Sequence, residues 1–309
     1  MIKKYIKNKI VLYTLILILL GLFYFFPTGE SFEMEIINDN KTYESNVVYL
    51  LDDDNYVSQV ITYFDNTSIK EDIKAKIDVL IHGDNNLSKF YSLIPKTTIL
   101  KNIKVDKDSV YLDFNKEILT VNEYVEESMI EAIVYTLTET NGINNVYINV
   151  DGNPLKELPN SKEELPYPLT REFGINKKYD LTSFNDIDST TIFFAKTSED
   201  LTYYVPVTKI SNTSSDKIDI IIEELKSVVN AQDNLNSYIS NNVKLVSSEI
   251  NNDKMNLVFN DYIFSDASKK TILEEVKYLL SESVFENYSV KEVIISTEND
   301  KNIDRVVKK

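Results

Sequence analysis

The sequence consists largely of two related segments in tandem. A shift of 145 residues places SVYLDF (109–114) over KMNLVF (254–259), so that Phe114 corresponds to Phe259. Beyond residue 266 the shift becomes 147. Apolar residues stay in step over about a hundred positions, although few residues are identical. We therefore expect two copies of one fold.

Each copy shows the same order of predicted elements. In the first copy, runs rich in β-branched and aromatic residues alternate with amphipathic stretches. Helices are expected over 68–82 and 125–137. Strands are expected at 47–51, 57–64, 98–105, 109–114 and 145–150. The order β-β-α-β-β-α-β predicts an α+β fold for each of two tandem small domains, with helices packed on one face of a mixed or antiparallel sheet.

The first predicted helix shows both of its ends in the sequence. Ser68 and Glu71 have the spacing of a capping box, and Gly83 stands where a C-terminal cap is expected. One apolar stripe predicts the buried face of this helix: Ile69, Ile73, Ile77, Leu80 and Ile81.

An apolar stretch near the N-terminus predicts a membrane anchor. Residues 10–26 contain no charge and lie at the short end of the length that spans a bilayer. Lysines without any acidic residue precede it, so residues 1–9 are predicted to be cytoplasmic. A cleaved signal peptide is the alternative, but FFPTGES lacks a small-residue cleavage pattern. We predict a single-pass protein of the cell membrane, with most of the chain on the extracytoplasmic side.

Proline marks the boundary between the two copies. Four of the seven prolines fall within 154–168, and the fixed φ and missing N–H of proline favour a stiff connector. We place the first domain at 46–153, a linker at 154–189 and the second domain at 190–299. As an alternative, apolar residues of this segment pack along a domain surface: Leu158, Leu165, Tyr167 and Leu169.

Composition excludes several classes of function. The chain has 49 acidic and 33 basic residues, a net charge of −16. This charge repels nucleic acid and anionic lipid surfaces, so nucleic acid is not expected as a partner. There is no cysteine, which excludes disulfides, thiol nucleophiles and thiolate metal sites.

Three features offer candidate chemistry, and for each we favour a structural role. The carboxylates of Asp52–Asp54 suit calcium, but adjacent side chains diverge, so a solvated hairpin tip is expected. His82, the one histidine, lies at a predicted helix end, where a cation complements the helix dipole. Glu139 and Asp151 would be the carboxylate pair of a glycan hydrolase, yet both fall at element ends. No catalytic, cofactor-binding or metal-binding residue is therefore predicted.

Three blocks of the sequence resemble the GerMN domain family: LIHG (80–83), SLIPKTTILKNIKVDKDSVYLDFN (92–115) and EAIVYTLTETNGINNVYINVDG (131–152). The resemblance is weaker over 190–299, where Ser240 replaces Pro95 and the TLTE and DG signatures are missing. It implies non-enzymatic extracytoplasmic modules, similar to the ring-building folds of sporulation channel proteins. In that family the module helps to assemble the complex that links mother cell and forespore. Many members are lipoproteins, whereas this chain has no cysteine to carry a lipid.

Together these features predict a membrane-anchored assembly or interaction protein in sporulation or spore germination. Its expected partners are the membrane, other envelope or sporulation proteins, and further copies of itself that meet at exposed sheet edges. The alternative is a peptidoglycan-binding module or a glycan hydrolase accessory. Tyrosines at strand positions would then form a platform for sugar rings: Tyr49, Tyr63, Tyr111 and Tyr147.

Overall fold

The computed structural model describes residues 44–65, 68–198, 201–213, 215–227, 234–266, 268, 270–299 and 304–308. The predicted cytoplasmic segment, residues 1–9, and the predicted anchor, residues 10–26, lie outside the described residues. Within the ranges that are described, no helix is both long enough and apolar enough to cross a membrane.

Both repeats contain the predicted order of elements, β-β-α-β-β-α-β, with a few short strands added. The helices are α1 (Ile69–His82), α2 (Glu126–Thr138), α3 (Lys217–Ser227) and α4 (Glu274–Asn287). The strands are β1 (Glu44–Leu51), β2 (Val57–Phe64), β3 (Leu100–Asp106), β4 (Ser109–Phe114), β5 (Asn145–Val150), β6 (Asn153–Pro154), β7 (Lys178–Asp180), β8 (Asp188–Ser198), β9 (Leu201–Ser211), β10 (Leu245–Asn251), β11 (Lys254–Phe259), β12 (Glu292–Thr297) and β13 (Asp304–Val307).

Each repeat builds a mixed sheet of four strands. In the first repeat β3 pairs antiparallel with β4, β4 parallel with β5, and β5 antiparallel with β6. Strands β10, β11, β12 and β13 repeat these directions. Parallel neighbours need a crossover connection, and α2 and α4 provide it. In β5 the core residues Val146, Ile148 and Val150 alternate with half-buried ones, as one covered sheet face requires.

The first two strands of each repeat do not join the sheet of their own repeat. The hairpins β1–β2 and β8–β9 instead pair through β2 and β9 into one central sheet, which β7 extends. The expectation of a single separate sheet in each domain is therefore wrong. Local patterns predict a hairpin, but the edge that a hairpin joins depends on residues far away in the chain.

The central sheet relates the repeats by an approximate twofold rotation. Gln59 of β2 pairs with Tyr204 of β9 in antiparallel register. These residues are 145 positions apart, the separation of the sequence repeat. When a strand residue pairs with its own equivalent, a twofold axis must pass between the two strands. The axis of the duplication therefore lies close to this pair.

The second helix of each repeat protects the outer edge of a hairpin. Thr136 Oγ1 in α2 accepts a hydrogen bond from the N–H of Tyr49, and Ser283 Oγ in α4 accepts one from the N–H of Phe193, both at 2.9 Å. Positions 136 and 283 are 147 residues apart, as the repeat requires. Paired edge groups are not available to other strands.

Helix α1 confirms its predicted ends. The side chain of Ser68 accepts a hydrogen bond from the N–H of Glu71 at 3.3 Å. Gly83, with φ 78°, donates its own N–H to the carbonyl of Val79. Ile69 is 48% exposed, however, so the buried stripe begins one turn later, at Ile73.

The segment after β6 packs against the first repeat. Leu155 donates its N–H to the carbonyl of Ile148, and Leu169 pairs with Val146 along β5. The leucines of this segment are buried: Leu155, Leu158, Leu165 and Leu169. This arrangement agrees with the alternative in which the segment covers a domain surface. Apolar side chains of both repeats form one continuous core, and the domain limits at 153, 190 and 299 stay predictions.

Candidate functional site

One arginine connects the second helices of the two repeats. Arg171, in a 3-10 turn within the connecting segment, forms ion pairs with Glu139, the C-cap residue of α2, and with Glu286 of α4. Its Nε donates to Thr138 Oγ1 at 2.8 Å, and its guanidinium lies 4.6 Å from the centroid of the Tyr135 ring. A planar guanidinium can bind two carboxylates at once, whereas an ammonium is a single point of charge.

The two carboxylates occupy equivalent positions in the repeats. Glu139 and Glu286 are 147 residues apart, so Arg171 joins like to like near the approximate twofold axis. Glu139 also accepts a hydrogen bond from the hydroxyl of Tyr49 at 3.0 Å. Tyr49 is fully buried, which removes it from the predicted sugar platform. Glu139 thus caps a helix as expected, but Arg171 and Tyr49 hold its carboxylate in place of solvent.

A third carboxylate lies in the same cluster. Glu282 of α4 interacts electrostatically with Glu139, Arg171 and Glu286. Burial and, to a smaller extent, the negative charge of Glu139 raise the pKa of Glu282 to about 7, although the positive charge of Arg171 opposes the shift. The junction between the repeats therefore holds an ionisable proton near neutral pH.

A second contact between the repeats corrects the role predicted for the acidic turn. Asp52 is 2% exposed, and its carboxylate accepts hydrogen bonds from the N–H groups of Asp54 and Tyr56, each at 2.9 Å. The ammonium of Lys196 in β8 lies 2.7 Å from Asp52 and 2.6 Å from Asp54. The solvated hairpin tip is therefore wrong for Asp52, because the second hairpin places a buried cation beside it. Asp53 is exposed as predicted.

A third contact joins α2, the connecting segment and both hairpins. Glu131 accepts a hydrogen bond from the N–H of Asn176 at 3.0 Å, and the Lys177 ammonium lies 3.5 Å away. Burial raises the pKa of Glu131 to about 7, although Lys177 opposes this shift. The side-chain amide of Asn176 bonds to the backbone of Val57 in β2 and of Pro206 in β9. Asn176 therefore links the two hairpins directly.

The predicted carboxylate pair has separate partners in the structure. Asp151 lies in an exposed turn with φ 49° and forms an ion pair with Lys101. Glu139 forms its ion pair with Arg171. Each carboxylate therefore pairs with its own cation, Glu139 at the end of α2 and Asp151 in the turn after β5.

The remaining predicted tyrosines form only part of a platform. Tyr63 is 65% exposed on β2. Tyr111 and Tyr147 stack with centroids 4.3 Å apart and planes at 10°, and Tyr167 meets Tyr147 edge-on at 4.9 Å. The ammonium of Lys104 lies 5.3 Å from the centroid of Tyr111. The stacked faces of Tyr111 and Tyr147 cover each other instead of lying open to a sugar ring.

His82 is the last residue of α1, as predicted, and its Nε2 lies 3.6 Å from the carboxylate of Asp78. It borders a pocket of about 450 Å³ where the blocks LIHG and SLIPK meet. Other residues that line this pocket include Gly83, Asp84, Tyr91, Ser92 and Lys96. Among the described residues, no group of three or more histidine, aspartate or glutamate side chains is placed to hold a metal ion.

The contacts between the repeats are made by three residues that no sequence motif predicts: Arg171, Asn176 and Lys196. One of the three had a visible signal. Arg171 and Arg305 are the two arginines among 33 basic residues, and such a rare choice indicates a position where lysine does not suffice. Asn176 and Lys196 are common residue types at unremarkable positions, so no local pattern distinguishes them.

The fold and its junction define a class: a duplicated α+β module whose repeats share one sheet and are joined by buried ion pairs. Residues 47–156 match a domain family described as "Germane: Sporulation and spore germination". Spore germination protein GerM of Bacillus subtilis (strain 168) is 32% identical over 214 residues, which cover 67% of this chain and 58% of that protein. The structure of the tandem GerMN domains of GerM from Bacillus subtilis matches 87% of this chain, and 98% of its own length, with a TM-score of 0.77 and 25% identity. The chain is a GerM-like protein with GerMN domains in tandem, as the sequence resemblance indicated.

Proposed function

We propose that this protein is a membrane-anchored, extracytoplasmic and non-enzymatic assembly protein of the GerM type, which acts in sporulation or spore germination. The observation that carries the proposal is the match to the tandem GerMN domains of GerM over 87% of the chain. The apolar stretch at 10–26 and the lysines before it support the anchor and its orientation. Because the chain spans 58% of the length of GerM, its activity and partners are part of the proposal.

The described structure supports a role as a rigid interaction module. At the junction Glu139, Glu286 and Asp52 are bound to cations and hold the repeats together. Strands β3 and β10 lie at the edges of their sheets and pair on one side. An open strand edge can accept a strand from a partner or from a second copy of the chain. Two repeats that are held together by these ion pairs would present the two open edges at a fixed spacing.

Deletion of the gene in its host tests the proposal. We expect fewer heat-resistant spores or slower germination, restored by the full-length chain and not by a form that starts at residue 27. Normal sporulation and normal germination in the deletion strain would overturn the proposed function. Restoration by the form without residues 1–26 would overturn the anchored part of it.

Binding to cell-wall glycan is tested separately by sedimentation with purified peptidoglycan. The assembly function predicts that the protein stays in the supernatant. Sedimentation that is lost in a Tyr147→Ala variant would favour the peptidoglycan-binding alternative, because Tyr147 contacts both Tyr111 and Tyr167.

A further inference from the structure

Strand β7 and the loop that leads from it to β8 expose several apolar side chains within nine residues. Phe184 is 94% exposed, and three neighbours are exposed as well: Tyr179, Leu181 and Ile187. A single exposed apolar residue is ordinary on a protein surface. Several on one short loop are typical of a surface that contacts another molecule.

A neighbouring asparagine fixes the shape of this loop. The Oδ1 atom of Asn212 accepts hydrogen bonds from the N–H groups of Thr182 at 2.8 Å and Ser183 at 3.1 Å, and its amide nitrogen donates to the carbonyl of Asn185. Ser183 Oγ accepts a further bond from the N–H of Asn185 at 3.3 Å. These bonds leave Phe184 at the apex of an ordered turn. A preorganised aromatic side chain loses little conformational entropy when it binds.

Carboxylates border the apolar side chains. Asp180 and Asp188 flank the loop and pair with Lys209 at 3.4 Å and Lys217 at 3.2 Å. Asp186, within the loop, is exposed. The chain as a whole carries a net charge of −16. An anionic lipid surface would therefore repel this loop, and a basic protein surface would attract it.

We propose that residues 179–188 form a docking loop for a protein partner that offers an apolar pocket bordered by lysine or arginine side chains. Phe184 enters the pocket, and Asp186 faces the basic border. An aromatic anchor surrounded by polar groups is the usual arrangement of an interface hot spot. This inference deepens the proposed assembly function and rests on it for the existence of such a partner.

Selection from a library of random displayed peptides on the full-length protein in detergent tests the docking loop. We expect enriched peptides that combine apolar residues with lysine or arginine, and whose affinity falls as salt is added. A Phe184→Ser variant should weaken their binding by at least about tenfold. The control is Tyr124→Ser, because Tyr124 is 86% exposed outside this loop, and it should change binding by less than about twofold. Circular dichroism of both variants checks that the fold is kept.

Three results would overturn the docking loop. The first is a peptide selection that gives no enrichment, gives peptides without basic residues, or gives peptides that bind the Phe184→Ser variant as tightly as the wild type. Wild-type binding to zwitterionic lipid vesicles that is lost in Phe184→Ser would assign the loop to a membrane. A dimer in sedimentation analysis that Phe184→Ser dissociates would assign it to a second copy of the chain. The peptide result does not depend on sporulation, so a deletion strain with normal spores would overturn the proposed function and leave this measurement unaffected.

Discussion

Arg171 forms ion pairs with two carboxylates at once, which a lysine cannot do in the same geometry. Its rarity is evident in the sequence, but its partners are not. One cation must serve two carboxylates on different helices, and the fork of the guanidinium donates to both. Glu139 and Glu286 are 32 and 115 residues away in the chain. No periodic pattern relates positions at such distances, so the rarity of arginine is noticeable but its partners are not.

Substitution of Arg171 should destabilise the junction, and the loss should be larger when both of its ion pairs are removed than when one is kept. Arg171→Leu leaves Glu139, Glu282 and Glu286 together without the shared cation, and we expect a loss of about 2–4 kcal/mol in the free energy of unfolding. Arg171→Lys keeps the charge but not the fork, so its loss should be intermediate. Chemical denaturation measures both variants.

The control for this prediction is Lys101→Ala, which removes the exposed ion pair with Asp151. Exposed ion pairs are screened by solvent, so the midpoint of unfolding should hardly move. If Arg171→Leu were as stable as the wild type, the junction would not depend on this arginine.

Stability should fall as the pH rises through neutrality. Burial raises the pKa values of Glu131 and Glu282 to about 7, above the usual 4.5. The folded protein therefore binds these protons more tightly than the unfolded chain does. Their contribution is complete below the unfolded pKa and is lost as the pH rises through about 7. Between about pH 5.5 and pH 8 the free energy of unfolding should decrease by about 2 kcal/mol for each group.

Neutral substitutions at Glu131 and Glu282 separate the two contributions. Glu131→Gln and Glu282→Gln should each flatten the pH profile and raise the stability at about pH 8, since each removes one charge that is costly to bury. Denaturation curves at several pH values give the profiles. A wild-type slope that survives in the double variant would assign the pH dependence to other groups.

Individual elements were predictable from the sequence because local patterns specify them. Ser68 and Gly83 mark the ends of α1, and both caps are present in the structure. The pairing of elements was not predictable in the same way. The contact of Gln59 with Tyr204 joins strands 145 positions apart, and nothing in either strand identifies the other. Ile69 belongs to the apolar stripe of α1 by its spacing. It is exposed in the structure because the first turn of the helix lies outside the core.

The hydroxyl groups of Thr136 and Ser283, which accept hydrogen bonds from the hairpin edges, should contribute measurably to the free energy of unfolding. Thr136→Val keeps the shape of the side chain but leaves the N–H of Tyr49 without its acceptor, and Ser283→Ala does the same to Phe193. A buried donor without a partner costs about 1–3 kcal/mol. Hydrogen exchange should accelerate at the amide of Tyr49 in the first variant and of Phe193 in the second.

The matched controls exchange one hydroxyl residue for the other. Thr136→Ser and Ser283→Thr retain the acceptor, so they should preserve slow exchange at these two amides. The losses from Thr136→Val and Ser283→Ala should add, because the residues serve separate edges of the sheet. Unchanged exchange in Thr136→Val would mean that the edge N–H finds another partner.

At the scale of the whole molecule, the candidate site lies where the two copies meet, so the sequence predicts it only in part. The sequence predicts Glu139 at a helix end, and the structure adds its contact between the repeats. The turn DDDNY contains no lysine, so the local sequence predicts a solvated Asp52, whereas its partner Lys196 lies 144 residues away in the chain. The sequence shows the duplication clearly, whereas the rotation that brings the copies together depends on packing of the complete chain.

The repeats are expected to unfold together. They share one core and the central sheet, so far-UV circular dichroism and tyrosine fluorescence should report one transition at the same denaturant concentration. Asp52→Asn removes one of the two carboxylates that pair with Lys196, whose side chain is 4% exposed, and leaves the pair with Asp54. It should lower the free energy of unfolding by about 1.5–3 kcal/mol. Asp53→Asn in the same turn is the control, and its transition should stay near that of the wild type because Asp53 is exposed. Two separate transitions in the wild-type protein would show that the contacts at Asp52 and Arg171 do not couple the copies, and that each repeat is stable by itself.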